Sequence, residues 1–310
     1  MKTLTFESAI HGYLLAAGAR HLSPRTIADY MNTFKKFTAT LPGKDFPLAN
    51  ITSQHIETFL REQHGLTNKT LLNYYVGLSA FWTWATREKL VPEHILHSIP
   101  APKPEQRDIV PFTAQELKLI VTSLKRSRPY TRPGKALCDH SINEWNAARN
   151  YAILLLLLDT GMRATELCEI NLHQVDERNH RVHILGKGAK ERTLPFSPRT
   201  GQALWRYLAT RDMTYGQRVF VSSTGGDFDR NDLLVTLKRI GDRAEVPGCN
   251  PHRFRHTFAI QFLRNGGDAY TLQAMLGHST LEMVKTYLRL AQIDLDKAHR
   301  HASPVDNWRL

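Results

Sequence analysis

Apolar side chains recur at three- and four-residue intervals through the first hundred residues. Ile27, Tyr30, Phe34 and Phe37 share one face of a helix that runs to about Thr40. Ser23 followed by Pro24 starts it, because a hydroxyl caps and proline suits the first helical position. Leu41-Pro42-Gly43 stops it. Thr52 or Ser53 opens a shorter helix through Phe59 and Leu60, and Thr67 opens a third, with Leu71, Tyr75, Leu78 and Trp82 at helical spacing. Trp82 and Trp84 read as core residues in preference to base-stacking ones. Pro100, Pro102, Pro104 and Pro111 then stiffen the chain into an extended link. A domain boundary is expected near residue 105, giving a helical domain over 1–104 and a second domain over 105–310.

The pattern changes beyond the link. Thr113 and Glu116 form a capping-box signature. Asn150 to Leu158 reads as a buried helix, broken at Thr160-Gly161 and resumed from Met162 to Glu169. Arg181 to Leu185 alternates like a strand, residues 186–190 turn it, and Arg192 to Pro195 returns; Val219 to Val221 reads as one more short strand. Helices are predicted over Asn231–Ala244, His252–Arg264, Ala269–Leu276 and Leu281 to about Arg300. The expected fold class is therefore mainly α with a small antiparallel β-sheet, in two domains.

Charge narrows the partners. The 310 residues carry a formal net charge of +12, and both halves are basic. Such a field favours a polyanion, of which DNA is the commonest. The stretch Lys125 to Lys135 holds five positive charges, including Lys125, Arg126 and Arg128, and no negative one. It is either a solvated loop or a DNA-backbone contact. Cys138, Cys168 and Cys249 form no Cys-x-x-Cys pair, which points to a reduced, cytoplasmic setting. The N-terminus has no apolar signal core, and the longest apolar run, Tyr151 to Leu158, is far short of the ~18 residues of a membrane span.

Five polar residues then frame a chemistry: Arg163, Lys187, His252, Arg255 and His278, followed nine residues later by Tyr287. A phosphodiester resists attack because its anionic oxygens repel nucleophiles. Preplaced cationic donors offset the charge that grows at phosphorus, and removing one such donor typically costs ~10²–10³ in rate. Arginine's planar fork suits two phosphate oxygens. Each residue has a plainer alternative. Arg163 could pair internally with Glu166, His278 could be a capping residue, and Tyr287 could be packed between Met283 and Leu290. His252 and His256 have zinc-ligand spacing, but Arg253 stands where zinc hydrolases place glutamate, and no third ligand is nearby.

Order and spacing together decide more than any one residue. The segments Thr160–Arg163 with Glu166-Leu167, Gly186–Arg192, Pro251–Ala259, Leu276–His278 and Tyr287 resemble the tyrosine recombinase (phage integrase) superfamily, nearest its Xer-type and transposon-integrase branch. The helical first domain resembles that family's core-binding domain. The resemblance implies that Arg163 and Arg255 hold the scissile phosphate, with His252 in proton transfer and His278 as a further donor. Lys187 would protonate the departing 5′-oxygen, Tyr287 would form a 3′-phosphotyrosyl link, and Glu166 would orient the arginines. Lys190 is a second lysine in the same turn; Lys187 is preferred because its place in the glycine-flanked motif matches, and the plain reading of Lys190 is a DNA-backbone contact. No cofactor and no metal are implied. The implied partner is double-stranded DNA, bound by two domains closing as a clamp. The implied assembly is a homo-tetramer, or a hetero-tetramer with a related recombinase, on paired sites, with room for accessory proteins. The helix after Tyr287 would pack on a neighbouring protomer or within its own domain. A prokaryotic, nucleoid-associated location follows from the same resemblance. Two departures stand out: residues 125–146 exceed the usual join, and the first domain begins almost at residue 1, which suggests no separate arm-binding domain. The competing readings are a catalytically inactive DNA-binding protein of the same fold and a metal-dependent nuclease.

Overall fold

The computed structural model describes residues 4–43, 45–105, 109–125, 143–185, 191–212 and 214–291, with 299, 303 and 305. The chain divides into two compact units, Met1–Asp108 and Ile109–Leu310.

The first unit is built from α1 (Phe6–Ala19), α2 (Pro24–Thr38), α3 (Ser53–Glu62) and α4 (Asn68–Arg87). Thr5, Ser23 and Thr67 each accept a backbone N–H at a helix start, satisfying donors that the first turn would leave orphaned. The core is largely aromatic. Phe6 meets Phe34, Phe37, Phe81 and Trp82 with ring centroids between 5.0 and 6.3 Å. Trp82 and Trp84 are buried, as their helical spacing suggested. The Tyr75 hydroxyl donates to the carbonyls of Leu96 and Ile99, tying the short turn Ile95–Ser98 to α4.

The second unit wraps around α6 (Glu144–Thr160), preceded by α5 (Ala114–Thr122). The expected capping box closes α5: Thr113 N–H donates to Glu116 and Glu116 N–H to Thr113. Ala152, Ile153, Leu154, Leu156 and Leu157 of α6 are fully buried. After α7 (Ala164–Glu169) come β1 (Val175–Asp176), β2 (Arg181–Leu185) and β3 (Glu191–Pro195), an antiparallel sheet in the order β1-β2-β3. Arg181 pairs with Pro195 and Leu185 with Glu191, so Val182, Ile184 and Leu194 face the core. Then follow α8 (Pro198–Thr210), α9 (Arg230–Ala244), α10 (Pro251–Arg264), α11 (Ala269–Leu276) and α12 (Glu282–Ala291).

Several expectations are corrected. Val219–Val221 is buried but is no strand. Val219 N–H donates to Ile170 and Val221 N–H to the Tyr207 hydroxyl, while Val221 accepts from Arg149, so side chains and loops replace a ladder. Met162 lies outside helix; α7 starts at Ala164 because Arg163 is its extended N-cap. The buried helix starts six residues before Asn150, at Glu144, where Asn143 caps it. The final helix is described from Glu282 to Ala291, and residues 292–298 and 300 lie outside the described residues. Helices α1 and α8 and strand β1 were not read from the sequence. α1 (FESAIHGYLLAAGA) is apolar on most sides, which blurs its stripe. A two-residue strand has too little alternation to detect.

Candidate active site

Two left-handed glycines set the frame. α6 ends at Gly161 (φ +61°) and α11 ends at Gly277 (φ +63°), both in the conformation that closes helices with little strain only for glycine. A Cβ at Gly161 would stand 2.3 Å from the Phe258 ring. These tight stops leave carbonyls pointing outward at the negative ends of two helices.

Arginines fill those ends. Three successive carbonyls at the close of α11 accept from three different arginines: Met275 from Arg192 Nε (2.9 Å), Leu276 from Arg255 Nη2 (2.9 Å) and Gly277 from Arg163 Nη2 (3.1 Å). Arg255 also donates through Nη1 to the Gly161 carbonyl at 2.8 Å. One helix end thus gathers guanidiniums from β3, α10 and the start of α7. Mutual repulsion alone would separate them.

Glu166 supplies the counter-charge. Its buried carboxylate accepts from the Arg163 backbone (2.7 Å), Arg163 Nη1 (3.0 Å), Arg192 Nη1 (3.0 Å) and Arg192 Nη2 (2.7 Å). Burial pushes this carboxyl up, but the bonds from Arg192 and from the Arg163 backbone outweigh it and hold it below the ordinary carboxylate value. Burial, then the Arg163 charge, brings Arg255 down to about 10, which leaves it a cation at neutral pH. Three guanidiniums against one carboxylate leave the cluster with excess positive charge, the condition for holding an anion.

His278 and Tyr287 close the site. Arg255 Nη2 lies 2.8 Å from His278 Nε2, which must accept, so the ring proton sits on Nδ1. That Nδ1 is buried and has no hydrogen-bond partner among the described residues. Burial, then Arg255, Arg163 and Arg192, lower His278 to about 4, so it is neutral at neutral pH. Its ring lies nearly parallel to that of Tyr287, at 11° and 6.3 Å. Tyr287 itself is buried beside Val284 and Leu276, and its hydroxyl lies 2.8 Å from His256 Nδ1. Burial raises the phenol above its ordinary value while Arg255 pulls it down.

Of the residues singled out in the sequence, Arg163, Arg255, Glu166, His278 and Tyr287 come together. His252 stands exposed one turn before His256; partial desolvation of its ring, then the charges of Arg230 and Arg255, lower its imidazole. Lys187, Lys190, Arg126 and Arg128 lie outside the described residues, and Lys125 ends the short turn Ser123–Lys125. Among the described residues no three His, Cys, Asp or Glu side chains are placed to hold a metal ion. Sequence reasoning missed two participants. Arg192 was read only as a strand residue, although it closes the Gly186–Arg192 segment; His256 was weighed only as a metal ligand.

A cluster of arginines and histidine beside a buried tyrosine, in a helical unit with a three-stranded sheet, defines the tyrosine-type site-specific recombinases. The chain belongs to the phage integrase family: that family's profile matches residues 133–293, and the profile of the phage integrase N-terminal SAM-like domain matches residues 13–89. A tyrosine recombinase XerC from Corynebacterium efficiens is 30% identical over 297 residues, covering 94% of this chain and 89% of that protein. One from Pseudomonas savastanoi is 29% identical over 290 residues, covering 92% of each. Among solved structures, the fold is that of a lambda integrase dimer bound to a COC′ core site (TM-score 0.72, 18% identity, 90% of this chain and 97% of that one). It is also that of XerH site-specific recombinase bound to a palindromic difH substrate (TM-score 0.70, 20% identity, 93% and 82%).

Proposed function

We propose that this protein cuts and rejoins duplex DNA through a 3′-phosphotyrosyl bond to Tyr287. The observation that carries this reading is the gathering of Arg163, Arg192 and Arg255 on one helix end, with Arg255 bonded to the histidine that stacks on Tyr287. Arg163 and Arg255 would bind the non-bridging oxygens of the scissile phosphate. Both now donate to backbone carbonyls, and a phosphate would compete for those same N–H groups as a stronger acceptor. His278 would offer its unpartnered Nδ1–H. His252, exposed at the start of α10, would hydrogen-bond to the phosphate and take part in proton transfer. Lys187 would protonate the leaving 5′-oxygen, and Lys190, Lys125, Arg126 and Arg128 would contact the DNA backbone. Covalent capture conserves the energy of the broken bond, so rejoining needs no nucleotide cofactor.

The first unit would serve as the core-binding domain and close with the second as a clamp. The net charge of +12 suits many phosphate contacts. Relatives named XerC and DNA-bound neighbours support double-stranded DNA as partner. A tetramer on paired sites, of this chain alone or with a related recombinase, is the assembly such strand exchange requires, with the chain end after Tyr287 as its contact. No helix among the described residues is long and apolar enough to cross a membrane. A cytoplasmic, nucleoid-associated location fits a DNA substrate.

A nicked suicide duplex tests the reading. The wild-type chain should form a covalent protein–DNA adduct that resists chelator and is absent from Tyr287→Phe. Binding without adduct would favour an inactive DNA-binding protein, and chelator-sensitive cleavage without adduct a metal nuclease.

A further inference from the structure

A buried phenol with a raised pKa is a poor nucleophile until its proton has somewhere to go. Among the described residues, the group on the Tyr287 hydroxyl is His256 Nδ1, at 2.8 Å, with the two rings 5.6 Å apart. The other two histidines are placed differently. The Nε2 of His278 is occupied by Arg255, and its Nδ1 carries the proton. His252 is exposed one helical turn earlier and has no hydrogen bond to Tyr287 among the described contacts. His256 is half-buried on α10, where Phe254, Arg255, Thr257 and Phe258 hold the helix in the core.

We infer that His256 is the proton acceptor for the Tyr287 hydroxyl, a catalytic residue in addition to His252. The inference rests on Tyr287 being the nucleophile. In cleavage the Oη–H proton passes to Nδ1, and the electron pair it leaves forms the Oη–P bond. The P–O5′ bond breaks with its pair going to the 5′-oxygen, which leaves as a hydroxyl with the proton assigned to Lys187. Rejoining runs the same transfers backward, and His256 returns the proton to Tyr287.

The surroundings suit this task. The groups facing His256 are His252 and Arg255 on its own helix, Tyr287 on α12, and, through the tyrosine ring, His278. Burial, then His252 and Arg255, lower its imidazole, so it is a neutral acceptor at neutral pH. A DNA phosphate on the arginines would offset those charges and make His256 more basic as the substrate arrives.

The test uses the full chain on the nicked suicide duplex, with DNA affinity and thermal melting measured in parallel. His256→Asn keeps a hydrogen-bond acceptor for the phenol but cannot take its proton. It should bind DNA normally and form adduct on the order of 10²–10⁴ times more slowly. Its rate should rise with pH as hydroxide takes over, where the wild-type rate stays level above neutrality. Added imidazole should partly restore His256→Ala. Wild-type rates in His256→Asn, or a loss in His256→Ala that imidazole does not relieve, would overturn the inference. Adduct persisting in Tyr287→Phe would instead remove the nucleophile reading and leave a different signature from either.

Discussion

Arg192 reaches both carboxylate oxygens of Glu166, at 3.0 and 2.7 Å, across 26 residues of chain. The pair joins β3 to α7, and its arginine also bonds the end of α11. Breaking a buried ion pair from one side leaves a charge without its partner, typically at about 3–5 kcal/mol. Glu166→Gln and Arg192→Ala should each lower stability in urea unfolding by roughly that amount. The double variant should lose less than the sum, because the second substitution removes the charge the first had stranded.

Gly161 makes a sharper geometric prediction. Alanine there meets both a left-handed backbone and the Phe258 ring at 2.3 Å. Gly65 has φ +77° and nothing within 4 Å of its missing Cβ. Gly65→Ala should cost about 1–2 kcal/mol, the left-handed penalty alone. Gly161→Ala should cost clearly more in the same unfolding assay and should slow adduct formation, because the Gly161 carbonyl anchors Arg255.

The pH dependence of stability has a defined sign. His278 titrates at about 4 when folded, against an ordinary value of 6.5. Between those values the unfolded chain binds the proton and the folded chain does not, so the His278 contribution to stability is lost as pH drops from 6.5 to 4 and changes no further below, where protonation of carboxylates such as Glu166 goes on lowering stability. His252 and His256, also lowered, add to the same slope just below 6.5. Urea midpoints across this range should decline more gently for His278→Asn than for the wild type.

Salt tests the clamp. Many phosphate contacts imply an affinity loss of roughly 10³-fold between about 50 and 200 mM salt. A titration with a flat salt response would leave little room for two units gripping the backbone.

The sequence revealed the periodic and the punctuated parts of this molecule. The Phe34 stripe, the Thr113 cap and the glycine stops at Gly161 and Gly277 are local features, and each stands where its chemistry places it. Arg163, Arg255, His278 and Tyr287 were legible because the motifs containing them are ordered along the chain. What stayed hidden was tertiary. Arg192 and Glu166 meet only because β3 and α7 pack beside the end of α11, and a strand arginine carries no local sign of that. The role of His256 depends on α12 laying its tyrosine against α10. α1 escaped notice because apolar residues on most of its sides erase the helical stripe.

The central claim is that the Tyr287 oxygen attacks phosphorus. Trapping the chain on a suicide duplex, digesting DNA and protein, and mapping the modified peptide by mass spectrometry tests it directly. The account predicts a nucleotide mass on the peptide containing Tyr287, attached through a 3′-phosphate. A nucleotide on any other residue, or a 5′-phosphate linkage, would contradict it.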